Sequence, residues 1–260
     1  MPELGHEVTE REHAYLRIAD LLREQIHSGE LAQGARLPTH RVLADQHGVS
    51  EILIRRALDL LRTQGLVESR RGSGTFVRER PSVRRVSMDR YLADAGRQDV
   101  PRTSFTRDQG ITWSQYRLDK AFSWIEADER MARLFGVEAG VRVLERRFVF
   151  YAAGVPSQMS RTCLLASDVA GTPVENPDNE PWPGGNIAQL RTLGIEVSDI
   201  VEETAVRMPA PEEVAALGIG RGVPVFAITR QMLAGGRVVE VADPIVIPGD
   251  RTVRVDRITL

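Results

Sequence analysis

The chain has 260 residues, 42% of them hydrophobic and 27% charged, with a formal net charge of −2. That length suits a short domain joined to a longer one, and the composition is that of a globular chain rather than a disordered or fibrous one. No apolar run approaches the roughly 20 residues of a membrane span, and residues 1–11 lack the basic and apolar regions of a secretion signal, so a cytoplasmic protein is expected. The single cysteine, Cys163, has no partner for an internal disulfide and sits in an apolar stretch, which fits a reducing compartment and a packing role.

The charge is unevenly placed. Residues 36–90 hold twelve arginines against six acids, an excess of +6, so that a whole of −2 leaves −8 for the remainder. A basic segment beside an acidic remainder is the footprint of a polyanion-binding surface, although a solvated arginine-rich face leaves the same trace.

In chain order, Thr9 and Glu12 form a capping-box pattern ahead of Tyr15, Ile18, Leu22 and Ile26 at helical spacing, with Gly29 and Gly34 ending the helix. Thr39 is positioned to cap a second, short helix reaching Gln46 or His47, with Val42, Leu43 and Ala44 on its buried side and Gly48 as its stop. Ser50 opens a third helix that turns Ile54, Ala57, Leu58 and Leu61 to one face and Glu51, Arg55, Arg56 and Arg62 elsewhere, up to Gly65. Two short strands, Leu66–Ser69 and Thr75–Val77, then flank the basic, glycine-rich tip Arg70-Arg71-Gly72-Ser73-Gly74. Helix, helix, tight turn, helix and hairpin is the pattern of a winged helix-turn-helix, expected over residues 9–78. In that arrangement the third helix enters a major groove while the second helix and the wing hold the flanking backbone. A small three-helix domain with solvated arginines is the alternative reading of the pattern.

Tyr15-x-x-Ile18-Ala19-x-x-Leu22-Arg23, Gly29-x-Leu31-x-x-Gly34-x-x-Leu37-Pro38-Thr39-x-Arg41-x-Leu43-Ala44, Gly48-Val49-Ser50, Arg55-x-Ala57-Leu58 and Gly72-x-Gly74-Thr75-Phe76-Val77 closely resemble the DNA-binding domain of GntR-family regulators. By that resemblance Thr39 and Arg41 meet phosphates or base edges from the second helix, Ser50 and Arg55 from the third, and the Arg71, Gly72, Ser73, Gly74, Thr75 tip lies in or beside the minor groove. The resemblance also implies a homodimer on a palindromic DNA operator. Glu51 and Leu53 depart from the arginine and threonine usual at the start of the third helix. A carboxylate there accepts from a cytosine amino group and a leucine touches a thymine methyl, so an altered operator is expected.

Residues 79–104 combine Arg, Ser, Pro and Gln with little apolar periodicity and read as a linker. Beyond it, strands are expected at Val141–Tyr151, Val155–Leu164, Val197–Arg207, Val223–Leu233 and Arg237–Ile247, with helices near Asp128–Phe135, Ile187–Leu193 and Pro211–Leu217. This makes residues 105–260 an α+β domain. Leu134–Val143 aligns with Ala216–Val225 at an offset of 82 positions, and Gly154 with Gly236 at the same offset, which predicts a pseudo-symmetric pair of hairpin units with a cleft between them.

Gly140-Val141-x-Val143-Leu144, Gly154-Val155-Pro156, Gly222-Val223-Pro224-Val225 and Gly236-x-Val238-Val239-Glu240 resemble the UTRA domain of the HutC branch of GntR regulators, similar in fold to chorismate lyase. The resemblance implies an antiparallel sheet domain for ligand sensing and dimerisation. It also implies arginines on the first long strand that hold an anionic or sugar-like effector, a part open to Arg146 or Arg147. Ser160 stands where a glutamate is usual, and Gly185 and Ile187 replace a polar pair. The candidate pocket residues are Arg146, Arg147, Ser160, Thr162, Arg230 and Glu240, each equally readable as an ordinary strand residue.

The function implied is that of an effector-modulated, sequence-specific repressor. Two alternatives stay open: a chorismate-lyase-like enzyme, and a DNA-binding dimer that needs no effector. Against the first, no Ser/His/Asp or Cys/His arrangement stands out, and His6, His13, His27, His40 and His47 all fall in the N-terminal part. No metal-ligand spacing appears, and neither a metal nor a cofactor is expected.

Overall fold

The computed structural model describes residues 3–79, 83–86, 91 and 102–255, in two units: residues 1–81 with 219–223, and residues 82–218 with 224–260. In the first, helix α1 spans Glu3–Ser28, so Thr9 lies inside it rather than at its start. Helix α2, His40–His47, is capped by Thr39, whose hydroxyl accepts from the Val42 N–H, and ends at left-handed Gly48. Leu43 and Ala44 are its buried residues, while Val42 points outward. Helix α3, Glu51–Thr63, follows Ser50 and buries Ile54, Ala57, Leu58 and Leu61, the face its periodicity predicts. These residues, with Ile18, Ala19 and Leu22 of α1, build the core of the unit.

Strands β1 (Val67–Arg70) and β2 (Gly74–Val77) form the antiparallel wing. Its tip turns through Gly72 at φ +74° and Gly74 at φ +110°, conformations that a side chain would strain. The segment before α2 supports the other edge of β2: Leu37 N–H donates to the Thr75 carbonyl at 2.8 Å and Val77 N–H to the Ala35 carbonyl at 2.8 Å. The wing is thereby held by backbone hydrogen bonds on both sides.

In the second unit, β3 (Val83–Val86) pairs in parallel with β10 (Thr252–Val255). Both β3 and the buried Tyr91 fall within the stretch read from the sequence as a linker. A short helix α4 (Ser104–Asp108), opened by a reciprocal Thr103–Thr106 capping box, leads to the long strand β4 (Tyr116–Glu126). Then come helix α5 (Glu129–Phe135), strands β5 (Arg142–Ala152) and β6 (Val155–Leu165), helices α6 (Ala166–Val169) and α7 (Gly185–Arg191), strand β7 (Asp199–Arg207), helix α8 (Pro211–Leu217), and strands β8 (Val225–Ala234) and β9 (Arg237–Pro248).

The six long strands form one antiparallel sheet in the order β4-β5-β6-β9-β8-β7. The order is symmetric about the β6–β9 join: each half contributes an edge strand, a helix ending in a left-handed glycine (Gly136, Gly218), and a hairpin. The two hairpins turn on Ala153-Gly154 and Gly235-Gly236, every one at positive φ, as a two-residue primed turn requires. Leu144, Leu164 and Met232 pack one face of the sheet with Val169, Ile187 and Leu190 of α6 and α7. Val143, Cys163 and Val241 pack the opposite face against Met131, Ala132 and Phe135 of α5. Burial pushes the Cys163 thiol up to about 11, so it stays protonated at neutral pH and behaves as an apolar group.

Candidate functional site

The first candidate site is the exposed side of α2, α3 and the wing. Thr39, Arg41, Ser50, Glu51 and Arg55 are exposed, as are Arg71, Gly72, Ser73 and Gly74, while Leu53 and Thr75 are half-buried. Because Ile54, Ala57, Leu58 and Leu61 anchor α3 in the core, Glu51 and Arg55, four residues apart, share its outer side. Many of the other arginines here are engaged within the unit. Arg62 pairs with Asp59 and donates to Ser69, Arg70 pairs with Glu68 and lies over the Phe76 ring, and Arg23 donates to Gln64. Among the described residues, the side chains of Arg41, Arg55 and Arg71 have no such partner, which leaves their donors for an external anion. Two features escaped the sequence reading. Ile52 is 67% exposed at the first turn of α3, and Arg36 lies against the tip, 3.1 Å from where a Cβ on Gly74 would stand. An apolar residue beside Ile54 in sequence looks like core, and only the helical phase shows otherwise.

The second candidate site crosses the sheet. Register aligns one row of residues on one face: Phe122 of β4, Arg146 of β5, Thr162 of β6, Ala242 of β9, Arg230 of β8 and Glu202 of β7. The two guanidiniums therefore stand on either side of the central Thr162–Ala242 pair. Arg146 is completely buried, its guanidinium carbon 5.8 and 5.6 Å from the centroids of the adjacent Phe122 and Phe148 rings. It donates through Nε to Thr162 at 3.2 Å and through Nη1 to Gln189 at 2.5 Å, with Glu180 at 3.6 Å. Arg230 donates through Nη2 to Glu240 at 2.7 Å and through Nη1 to the Tyr91 hydroxyl at 3.2 Å. Tyr91 in turn donates to Glu202 at 2.6 Å, and Asn186 donates to the same Glu240 oxygen at 2.7 Å.

Burial opposes the charge on both arginines. For Arg146 it prevails and draws the guanidinium below its ordinary range, although Glu240 and Glu180 oppose it. For Arg230, Glu240 and Tyr91 outweigh burial and raise it. Among the described residues, three buried polar atoms in this cluster have no hydrogen-bond partner: Arg146 Nη2, Arg230 Nε and Glu240 Oε2. Unsatisfied buried polar atoms are uncommon in folded proteins.

A cavity of about 80 Å³ opens onto this row, lined on its polar side by Gln158, Ser160, Thr162, Glu180, Asn186 and Arg230. At roughly 10–15 Å³ for each water it has room for several water-sized groups. Arg146 and Glu240 stand one layer behind, joined to it through Thr162 and Asn186.

Of the two arginines offered by the sequence, the fold turns Arg146 inward. Arg147 falls on the opposite face, where it is 67% exposed and pairs with Glu145 at 2.7 Å. The reason is strand alternation, since neighbouring residues of β5 point to opposite sides. The structure brings together the other five candidates, Arg146, Ser160, Thr162, Arg230 and Glu240, and adds Glu180, Gln189, Asn186 and Tyr91. Gln189 carried a faint signal, a polar residue on the buried side of a short helix with Ile187 and Leu190.

Residues 14–77 match the family described as "Bacterial regulatory proteins, gntR family", and residues 121–252 match the UTRA domain. The chain belongs to the GntR family. This GntR-family chain is 30% identical over 234 residues to the mannosyl-D-glycerate transport/metabolism system repressor MngR of Escherichia coli, covering 87% of the chain and 88% of the relative. It is 29% identical over 237 residues to the histidine utilization repressor of Pseudomonas aeruginosa, covering 91% and 88%. Among solved structures it resembles a GntR-family transcriptional regulator with a TM-score of 0.60 and 30% identity, covering 95% of the chain and 98% of that structure. PhnF from Mycobacterium smegmatis matches with a TM-score of 0.54 and 25% identity, covering 93% and 98%. The GntR chain is thus a DNA-binding, ligand-responsive transcriptional regulator with the domain pairing of the HutC branch, and not an enzyme. Among the described residues no cluster of His, Cys, Asp and Glu is placed to hold a metal ion, and no helix is long and apolar enough to cross a membrane.

Proposed function

We propose that this GntR-family regulator acts in the cytoplasm as a homodimer that represses transcription from a palindromic operator, and that a small molecule in the sheet cavity of its UTRA domain changes its affinity for that operator. Arg41, Arg55 and Arg71 anchor phosphates or guanines, Thr39, Ser50 and the Gly72–Gly74 tip place the backbone close to DNA, and Glu51, Ile52 and Leu53 set base preference. Two copies read half-sites about one helical turn apart, roughly 34–36 Å. Coupling of roughly 1–3 kcal/mol between cavity and operator is enough for a useful switch.

The observation that carries the reading is the cluster at and directly behind the cavity wall, where Arg230 Nε, Arg146 Nη2 and Glu240 Oε2 are buried with no hydrogen-bond partner among the described residues, since a sheet built only for dimerisation has no reason to keep them. The purified protein is to be incubated with sheared genomic DNA at moderate salt and the bound fragments sequenced. An enriched inverted repeat is expected. Binding that falls with salt alike for every fragment would overturn the reading of an operator-specific regulator.

A further inference from the structure

The charges around the cavity determine what class of molecule it accepts. Both guanidiniums of the row already face carboxylates: Arg230 is bonded to Glu240 at 2.7 Å, and Arg146 has Glu180 at 3.6 Å. A further carboxylate, Glu202, stands in the same row behind the Tyr91 hydroxyl. Lys120, whose Nζ donates to the Glu180 carbonyl, is a third cation against these three carboxylates, so a phosphate placed here leaves buried negative charge in excess beside Glu180 and Glu240, which a low-dielectric site penalises.

Beside Glu180 and Arg230, which also line the cavity, several other polar groups that face it carry no net charge. Ser160 and Thr162 offer hydroxyls, and Gln158 and Asn186 offer amides, groups that donate and accept without net charge. Thr162 takes its hydrogen bond from Arg146 Nε as an acceptor, which leaves its own hydroxyl proton free to donate. Asn186 spends an N–H on Glu240 and keeps its carbonyl oxygen. The remaining wall is aromatic, with Phe105, Tyr116, Phe148, Phe150 and Trp182 lining the same space. Burial, reinforced by Glu180, holds the Tyr116 hydroxyl far above its usual range, so it too faces the cavity uncharged.

We propose that the effector carries no net charge: a small, hydroxyl- or amide-bearing molecule whose carbon skeleton lies on the aromatic wall, and that the cavity excludes phosphate and phosphate esters. This rests on the reading of the cavity as the effector site. The arginine pair, which in isolation looks like an anion clamp, serves to hold Thr162 and, through Glu240, Asn186 in the orientation the ligand meets.

The test uses inorganic phosphate as the probe. The full chain is to be titrated with phosphate, and with sodium chloride at matched ionic strength, following melting temperature and tryptophan fluorescence, to which the cavity-lining Trp182 contributes. The parent is expected to show no saturable response beyond the chloride control. Glu240→Gln removes one compensating charge while keeping the side-chain shape, and is expected to acquire a saturable phosphate response that the parent lacks over the same concentration range. Should that variant fail to fold, Glu180→Gln tests the same balance from the other carboxylate, and the parent titration needs neither. Saturable phosphate binding by the parent, abolished by Arg230→Lys, overturns the proposal, as does a folded Glu240→Gln that gains nothing. A chain that selects no operator but ignores phosphate leaves the charge assignment standing. One that selects an operator and binds phosphate overturns the ligand class alone.

Discussion

Replacing Glu240 with alanine tests whether the arginine row is a coupled electrostatic unit. Glu240 is completely buried, and its Oε1 accepts from Arg230 Nη2 and from Asn186 Nδ2, both at 2.7 Å. Truncation strands the Arg230 guanidinium, itself 8% exposed, inside the sheet. Removing one partner of a buried pair costs about 3–5 kcal/mol, and an amide left without its acceptor adds about 1–3 kcal/mol. Tyr91 still accepts from Arg230 Nη1, so the low end of that combined range, about 4 kcal/mol, is expected. Arg147→Ala, which cuts the pair between Glu145 and a 67% exposed partner on the other face, is expected to cost less than about 1 kcal/mol. Urea unfolding followed by tryptophan fluorescence separates the two cases, because Trp113, Trp124 and Trp182 all belong to the second unit and report on it alone. A loss for Glu240→Ala below about 1.5 kcal/mol, the size of an ordinary hydrogen bond, would refute the reasoning.

On the DNA side, Arg55→Ala is expected to weaken operator binding by about 1–3 kcal/mol in fluorescence anisotropy, and equal binding by mutant and parent would remove its assigned role. Arg71→Ala is expected to weaken binding alike on all sequences and to lower the slope of log affinity against log salt by about 0.9. Ile52→Ala, at a 67% exposed position, is expected to leave stability within about 0.5 kcal/mol of the parent while shifting the operator preference seen in bound-fragment sequencing. A drop in helix melting temperature instead would place Ile52 in the core. Acid should destabilise the second unit by way of three carboxylates held below their usual range. For Asp243 and Glu145, arginine hydrogen bonds overcome burial, the largest influence on each; for Glu213 the Arg207 hydrogen bond is itself the largest influence. Their folded pKa values lie below the unfolded ones, so the stability they contribute is full above the ordinary carboxylate range and is lost as pH falls through the depressed values. Asp243→Asn should flatten the acid limb of a stability-against-pH curve, and an unchanged limb would show that Asp243 contributes no such linkage.

What the sequence made legible follows from how local each signal is. The helix-turn-helix rests on caps and glycines within a few residues of one another, and Thr39, Gly48, Gly72 and Gly74 each take the backbone role their residue type suggests. The repeat at an offset of 82 exposed the two-fold plan of the sheet before any pairing was known. β4 was overlooked because Lys120 interrupts its apolar alternation at an edge where burial is only partial. The linker reading missed Tyr91 for a related reason: a single residue carries no periodicity, and its partners Glu202 and Arg230 lie more than a hundred positions away. The choice between Arg146 and Arg147 turned on strand register, a property of which the chain gives no sign until both neighbouring strands are placed.

The mirror order of the sheet gives the cavity an unusual footing. Arg146 and its hairpin belong to one half, Arg230 and its hairpin to the other, and the halves meet at the β6–β9 join, whose register slips between Ser160 and Thr162. A molecule held from both sides spans that seam like a staple across a hinge. Contacts made from both sides add a cross-link between the two halves at the place where their strand pairing is irregular.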